Sequence, residues 1–211
     1  MIEMLELSPS ARTAEVMKRC VLFREYEASW PQLYQAEKTL VVGQIGEHLL
    51  TIEHIGSTSV PGLSAKPIID MLLGVETLNQ ADACLDPLRQ IGYEYLPERT
   101  AFTKARRFLR KYPPFEPVGY HLHLLQPRNP YWTALLAFRN YLRHHPATAH
   151  HYGVLKQQLA EQFPTDRLAY LHGKADFIHA VLQEAQQESF AVMLTMRLHP
   201  IPGTRVGSSA Y

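Results

Sequence analysis

One aspartate inside an apolar run constrains this chain more than any other feature. Residues 67–75 read PIIDMLLGV. An apolar run without alternation forms a strand covered on both faces, so this segment belongs at the centre of a sheet. Asp70 is then a carboxylate on a buried strand, with apolar neighbours at 68, 69, 71, 72 and 73. An isolated ionised carboxylate in that setting is very costly. The fold must give it a partner: a bound divalent cation, or Lys66 or an arginine brought in from elsewhere.

The rest of the chain arranges itself around that strand. Residues 20–26 and 49–55 are strand candidates, and the second stops at Gly56-Ser57. From Pro31, apolar residues at 33, 36, 40, 41 and 45 approach helical period, with Ser29 as a cap. Residues 78–90 fit a helix broken near Pro87, and 91–95, 100–103, 106–111 and 119–125 read as short strands. After Pro130 the pattern is helical over 131–145, 147–162 and 166–187, with breaks at Pro146 and Pro164. A single domain over 1–187 is expected. Its core covers about 20–127 and its helical layer about 130–187, with 188–211 as a tail.

Composition excludes whole classes of function. With 21 Lys+Arg against 20 Asp+Glu, nothing favours a nucleic-acid surface over the whole molecule. The two cysteines, Cys20 and Cys84, make neither a CxxC pair nor a disulfide framework. There is no run of 18 apolar residues, and the N-terminus opens with acids rather than with a basic region before an apolar block. A cytoplasmic protein without a membrane span is expected.

Chemistry concentrates between Ile55 and Asp70. A strand ending in Gly56-Ser57 can bring backbone N–H groups and a hydroxyl close to a phosphate, because glycine permits close approach and unusual φ. Asp70, on the next strand, can hold a cation bridging that phosphate. The string EHIGSTSVPGLSAKPIIDMLLGV, residues 53–75, resembles the hallmark of the GrpB-like family, a branch of the nucleotidyltransferase superfamily. Trp30, Gly92-Tyr93, HLHLL at 121–125, FRNYLR at 138–143, Tyr152, Leu155-Lys156, Tyr170 and Lys174 extend the resemblance over most of the chain.

The resemblance implies an α/β (α+β) nucleotidyltransferase-like fold, a small mixed β-sheet flanked by helices, with a C-terminal helical layer. It implies phosphates cradled by Gly56, Ser57 and Thr58. The superfamily pattern places a second carboxylate two residues after the first, and here that position is Leu72. Two-metal chemistry needs several anionic ligands, so one metal is the expectation. In HLHLL, His121 and His123 share a strand face, and with Asp70 they make a set for Mn²⁺ or Zn²⁺ more than for Mg²⁺. Hydrogen-bonded histidines lining a cleft are the other reading of the pair.

Cations complete the candidate site. Lys66, Arg139 and Lys174 are expected to neutralise charge on phosphate, and Lys156 can reach the same cleft from the helical layer. Arg139 and Arg143, four residues apart on one helix face, can instead tie that layer to the core. Lys104, Arg106, Arg107, Arg110 and Lys111 crowd one window and form either a phosphate clamp or a solvated hairpin. His54 reads as a core histidine or as a ligand contact.

The leading expectation is a metal-assisted nucleotidyl or phosphoryl transferase acting on a nucleotide or another phosphorylated small molecule. The alternatives are a catalytically degenerate module binding a nucleotide or a coenzyme A-related ligand, and a metal-dependent hydrolase. Leu72 favours the degenerate module. Domains related to this family also accompany dephospho-coenzyme A kinases, which bears on the ligand class.

Overall fold

A computed structural model describes residues 23–97, 105–114 and 116–198. Cys20, Lys104, the strand candidate 100–103 and residues 20–22 of the candidate 20–26 lie outside the described residues. Residues 23–26 of that candidate are described and form no strand; Arg24 alone makes an isolated bridge, to Ala65.

Five strands form one mixed sheet: β1 (Thr51–Ile55), β2 (Ile68–Gly74), β3 (Glu94–Tyr95), β4 (Arg106–Lys111) and β5 (Gly119–Leu125). Their order is β1-β2-β5-β4-β3, with β2 and β5 parallel and every other neighbouring pair antiparallel. The apolar run of 67–75 is therefore central, as its composition requires. The register sets Ile55 opposite Asp70, Asp70 opposite His121, and Leu72 opposite His123.

Strand alternation divides these residues between two faces. One face carries Ile69, Met71, Leu73, Leu109, Leu122 and Leu124 under α1 (Trp30–Ile45), α2 (Leu78–Ala83) and α3 (Leu85–Gln90). Trp30, Val41 and Ile45 of α1 are fully buried there. The break between α2 and α3 falls at Cys84, not at Pro87. Pro87 is tolerated in the first turn of α3, where its missing N–H has no helical acceptor. Thr77 and Gln80 close a reciprocal capping box that starts α2.

The opposite face carries Asp70, Leu72, His121 and His123, covered by α4 (Pro130–His144), α5 (Pro146–Gln162), α6 (Arg167–Gly173) and α7 (Ala175–Leu198). Prolines stand at the first turns of α4 and α5, and Asn129 caps α4 through its side chain. The helical region expected over 166–187 is split at Lys174, and α7 runs on to Leu198, into the segment expected to be a tail. Among the described residues, no helix is long and apolar enough to cross a membrane.

On this face Leu72, Ile55, Leu125 and Trp132 make a small apolar cluster in which Leu72 is fully buried. The position that would carry a second carboxylate is thus a packed hydrocarbon contact under α4. A carboxylate there would lose that packing and bear the cost of burying a charge among hydrocarbon side chains. Leu72→Asp is expected to destabilise the fold by about 4 kcal/mol or more, and Leu72→Met by less than about 1.5 kcal/mol, in chemical denaturation. Equal stability of Leu72→Asp and the parent would contradict this packing.

Candidate functional site: a lysine-lined pocket over Asp70

Past the edge of α4 the same sheet face opens into a cavity of about 960 Å³. Ser57, Thr58, Lys66, Asp70 and His121 line it from the sheet side, and Tyr152, Lys156, Tyr170 and Lys174 from the helical layer. That size suits a nucleotide-sized ligand.

Gly56 shapes the entrance to the loop above Asp70. Its φ is 71°, a conformation that favours glycine, and a methyl group there would overlap Asp70 Oδ2. Chain and carboxylate therefore approach as closely as a side-chain-free residue permits. Beyond it, Thr58 donates its hydroxyl to the Ile68 carbonyl at 2.9 Å. With that proton committed, His54 Nε2–H is the donor across the 3.1 Å contact to Thr58 Oγ1. His54 also stacks on Tyr34, and burial first, then the nearby arginines, push its imidazolium down to about 4 despite Asp70. It is a neutral core histidine, and the Thr58 side chain is a structural staple.

Asp70 is the hub of the sheet side. Its Oδ1 lies 3.1 Å from His121 Nδ1 and 3.4 Å from His123 Nε2. Burial alone would raise this carboxyl, but the hydrogen bonds from the two histidines hold it well below the ordinary range. The outcome is a carboxylate ionised at neutral pH, at the floor of the cavity.

Arg106 decides the state of His123. Its Nη1 lies 3.2 Å from His123 Nδ1. A guanidinium has only donors, so Nδ1 accepts and the proton sits on Nε2, aimed at Asp70. Burial lowers the His123 pKa and Arg106 adds to this, while Asp70 opposes both. His121, by contrast, turns its second nitrogen to Tyr112 Oη at 3.1 Å, and both residues line the cavity.

These bonds bear directly on the expected metal set. A metal on His123 Nε2 would move that proton to Nδ1, where it would face the Arg106 guanidinium. Metal-binding histidines ordinarily direct the second N–H to an acceptor. Asp70 and His121 suit a divalent ion, but the full trio with His123 does not fit one as arranged. Among the described residues, no group of three or more His, Cys, Asp or Glu side chains is disposed to hold a metal ion.

Arg139 is not among the residues that line the cavity. Its Nη1 donates to Glu53 at 2.7 Å and to the His54 carbonyl at 2.9 Å, while Arg143 donates to the Ser59 carbonyl at 2.8 Å. The two guanidinium groups share a helix face as their spacing implies, and they clasp β1 and its loop. The basic window on β4 is likewise engaged in ion pairs, with the helices on the other face and with β3. Arg107 pairs with Asp82, Arg110 with Glu94, and Lys111 with the buried Glu37.

Lys156 carries more of the site than its sequence position signals. Its Nζ donates to Ser57 Oγ and to the Ser64 carbonyl, each at 2.8 Å, and the residue is 4% exposed. The rings of Tyr152 and Phe23 lie 4.8 and 5.6 Å from the same nitrogen. Burial first, and then Lys174, bring its pKa down to about 7. Lys174 and Lys66 lie 4.3 and 5.2 Å from the ring of Tyr170. Three amines thus surround one cavity.

The fold and site define an α+β protein with a cation-lined pocket beside a half-buried aspartate. The sequence profile of the GrpB protein family matches residues 21–184, and the chain belongs to that family. It is 31% identical over 172 residues to the glutamate-rich protein GrpB of Alkalihalophilus pseudofirmus, covering 80% of this chain and 98% of that one. It is 34% identical over 170 residues to the UPF0157 protein YqkA of Bacillus subtilis, covering 81% of this chain and only 48%, about half, of that protein. The crystal structure of the conserved protein GrpB from Enterococcus faecalis superposes with a TM-score of 0.71 at 39% identity, over 80% of this chain and 99% of that one.

Lys156 gives the site a pH signature. Its folded pKa of about 7 lies below the ordinary 10.5, so between those values the unfolded chain binds more protons. Stability therefore rises as pH increases from about 7 towards 10.5. Below that window, the cost of charging the buried amine is present in full. Stability curves of the parent and Lys156→Met are expected to diverge in slope across this window. Parallel curves would contradict the assignment.

Proposed function

We infer that the pocket binds a phosphorylated small molecule, a nucleotide or a coenzyme A-related compound. Ser57, Lys66, Lys156 and Lys174 would meet its phosphates. The observation that carries this reading is the convergence of three lysines on a single nucleotide-sized cavity. Like charges gathered in a half-enclosed space repel, as the lowering of Lys156 by Lys174 records. An anion relieves that repulsion and gains charge-assisted hydrogen bonds. The binding-module reading is favoured over two-metal catalysis because Leu72 is packed hydrocarbon.

Metal-assisted nucleotidyl or phosphoryl transfer keeps one supporting observation, the ionised Asp70 on the cavity floor next to the Gly56-Ser57 turn. The metal-dependent hydrolase shares it. Both readings run through Mn²⁺, Zn²⁺ or Mg²⁺ on a trio that His123 does not complete, so no step is derived through a metal. Triphosphate cleavage that persists in Asp70→Asn would remove this support.

Anion binding has a proton signature. A phosphate beside Lys156 raises its pKa, so binding above pH 7 takes up protons. Calorimetry with pyrophosphate, ATP and coenzyme A, in two buffers of different ionisation enthalpy, is expected to show binding with proton uptake at pH 8. Lys66→Ala and Lys174→Ala are each expected to weaken it roughly tenfold, the scale of one charge-assisted hydrogen bond. Absence of binding by all three compounds, or affinities indifferent to both substitutions, would overturn the reading.

A further inference from the structure

The pocket wall holds a pair that anion binding alone does not require. An ammonium serving only as a phosphate clamp gains most where the anion can reach its N–H groups directly. Lys156 is instead sunk in the wall, with two of its contacts made to the Ser57 hydroxyl and the Ser64 carbonyl, each at 2.8 Å. The same geometry also serves the neutral amine. One N–H stays on the Ser64 carbonyl, the lone pair faces Ser57 Oγ, and the serine hydroxyl becomes the donor. With a pKa brought down to about 7 by burial and by Lys174, the neutral form is well populated near neutral pH. Ser57 stands just past β1, beyond the sharp turn at Gly56, with its side chain on the cavity.

We propose that Ser57 and Lys156 form a nucleophile–base dyad that transfers an acyl group from an ester or thioester with an anionic leaving group. A hydroxyl held on a neutral amine is one of the recurring arrangements for acyl transfer. The carbonyl centre is what the electrostatics favour. A phosphoryl group at Ser57 brings negative charge to Lys156 and returns it to the ammonium form, whereas a carbonyl is neutral and leaves the base free. In such a substrate the carbonyl takes the place at Ser57 and Lys156 that a phosphate fills in a simple anion, and the anionic part falls to Lys66 and Lys174, which line the same cavity. Only this placement of the leaving group rests on the anion-pocket reading.

The step balances without an outside oxidant or reductant. Ser57 Oγ bonds to the carbonyl carbon as its proton passes to Lys156 Nζ. The bond from that carbon to the leaving oxygen or sulfur then breaks, and the leaving atom takes the proton from Nζ. Water or a second hydroxyl compound later attacks the carbonyl carbon of the Ser57 ester, giving its proton to Lys156 Nζ; the bond from that carbon to Ser57 Oγ breaks, Oγ takes the proton back from Nζ, and the acyl group leaves on the incoming oxygen.

A neutral alkyl fluorophosphonate tests the dyad independently of anion binding. Attack by serine forms an oxygen–phosphorus bond and expels fluoride, leaving an adduct that mass spectrometry locates. The whole chain is expected to gain one phosphonyl group at Ser57, at a rate that rises with pH through a midpoint of about 7. Ser57→Ala is expected to abolish the adduct. Lys156→Arg keeps the cation but loses the base, and is expected to slow labelling by about 100-fold or more. No adduct, an adduct elsewhere, or a rate unchanged in folded Lys156→Arg would overturn the proposal. If that variant does not fold, a parent rate flat between pH 6 and 9 (roughly, the span over which such a base titrates) overturns it equally. Pyrophosphate binding without a Ser57 adduct would remove the dyad and leave the anion pocket standing.

Discussion

The contact of Lys156 with the loop after β1 is the constraint on which the rest of the site depends. The helical layer is tied to the end of that strand by three cationic side chains, Arg139, Arg143 and Lys156, each bonded to a main-chain carbonyl. The first two act as anchors beside the cavity. Lys156 alone reaches into it, where the loop carrying Ser57 meets α5 under a small apolar cluster of Val60, Leu63, Leu142, Ala149 and Tyr152. A buried amine with hydrogen-bond acceptors and ring faces around it is tolerable, but with a second lysine nearby it holds its proton weakly.

Asp70 answers the same problem from the opposite side of the charge scale. Among the described residues, two histidines on the neighbouring parallel strand are its hydrogen-bond partners. The state of one histidine is fixed by Arg106 behind it. That chain of donors runs from Arg106 through His123 to Asp70, and it accounts for an ionised carboxylate on a buried strand without invoking a second carboxylate. It also explains why the trio resembles a metal site on paper while its hydrogen-bond directions belong to an organic network.

Much of this was legible in the residues, and the failures are physical. The unalternating 67–75 run predicts a central strand because burial on both faces leaves no room for polar residues. The HLHLL alternation predicts two histidines on one face, and the parallel register brings them to Asp70 across more than fifty residues of chain. Periodicity does not fix the strand order or the loop paths, so it left the destinations of the cations open. Arg139 and Lys174 looked equivalent in sequence, yet one is consumed by Glu53 and the His54 carbonyl while the other lines the cavity. The sequence brings Lys156 to the cleft only as one cation among several. Only its depth, and the packing of α5 on the loop, change its chemistry. The break at Cys84 was misplaced because a proline in the first turn of a helix costs little.

The most direct test is a heteronuclear NMR titration of the lysine side chains in the ligand-free protein, with Lys156→Met assigning the resonance. A midpoint of about 7 for Lys156, well below the ordinary lysine value of 10.5, is the predicted result. A Lys156 resonance that titrates at the ordinary 10.5 would contradict the account.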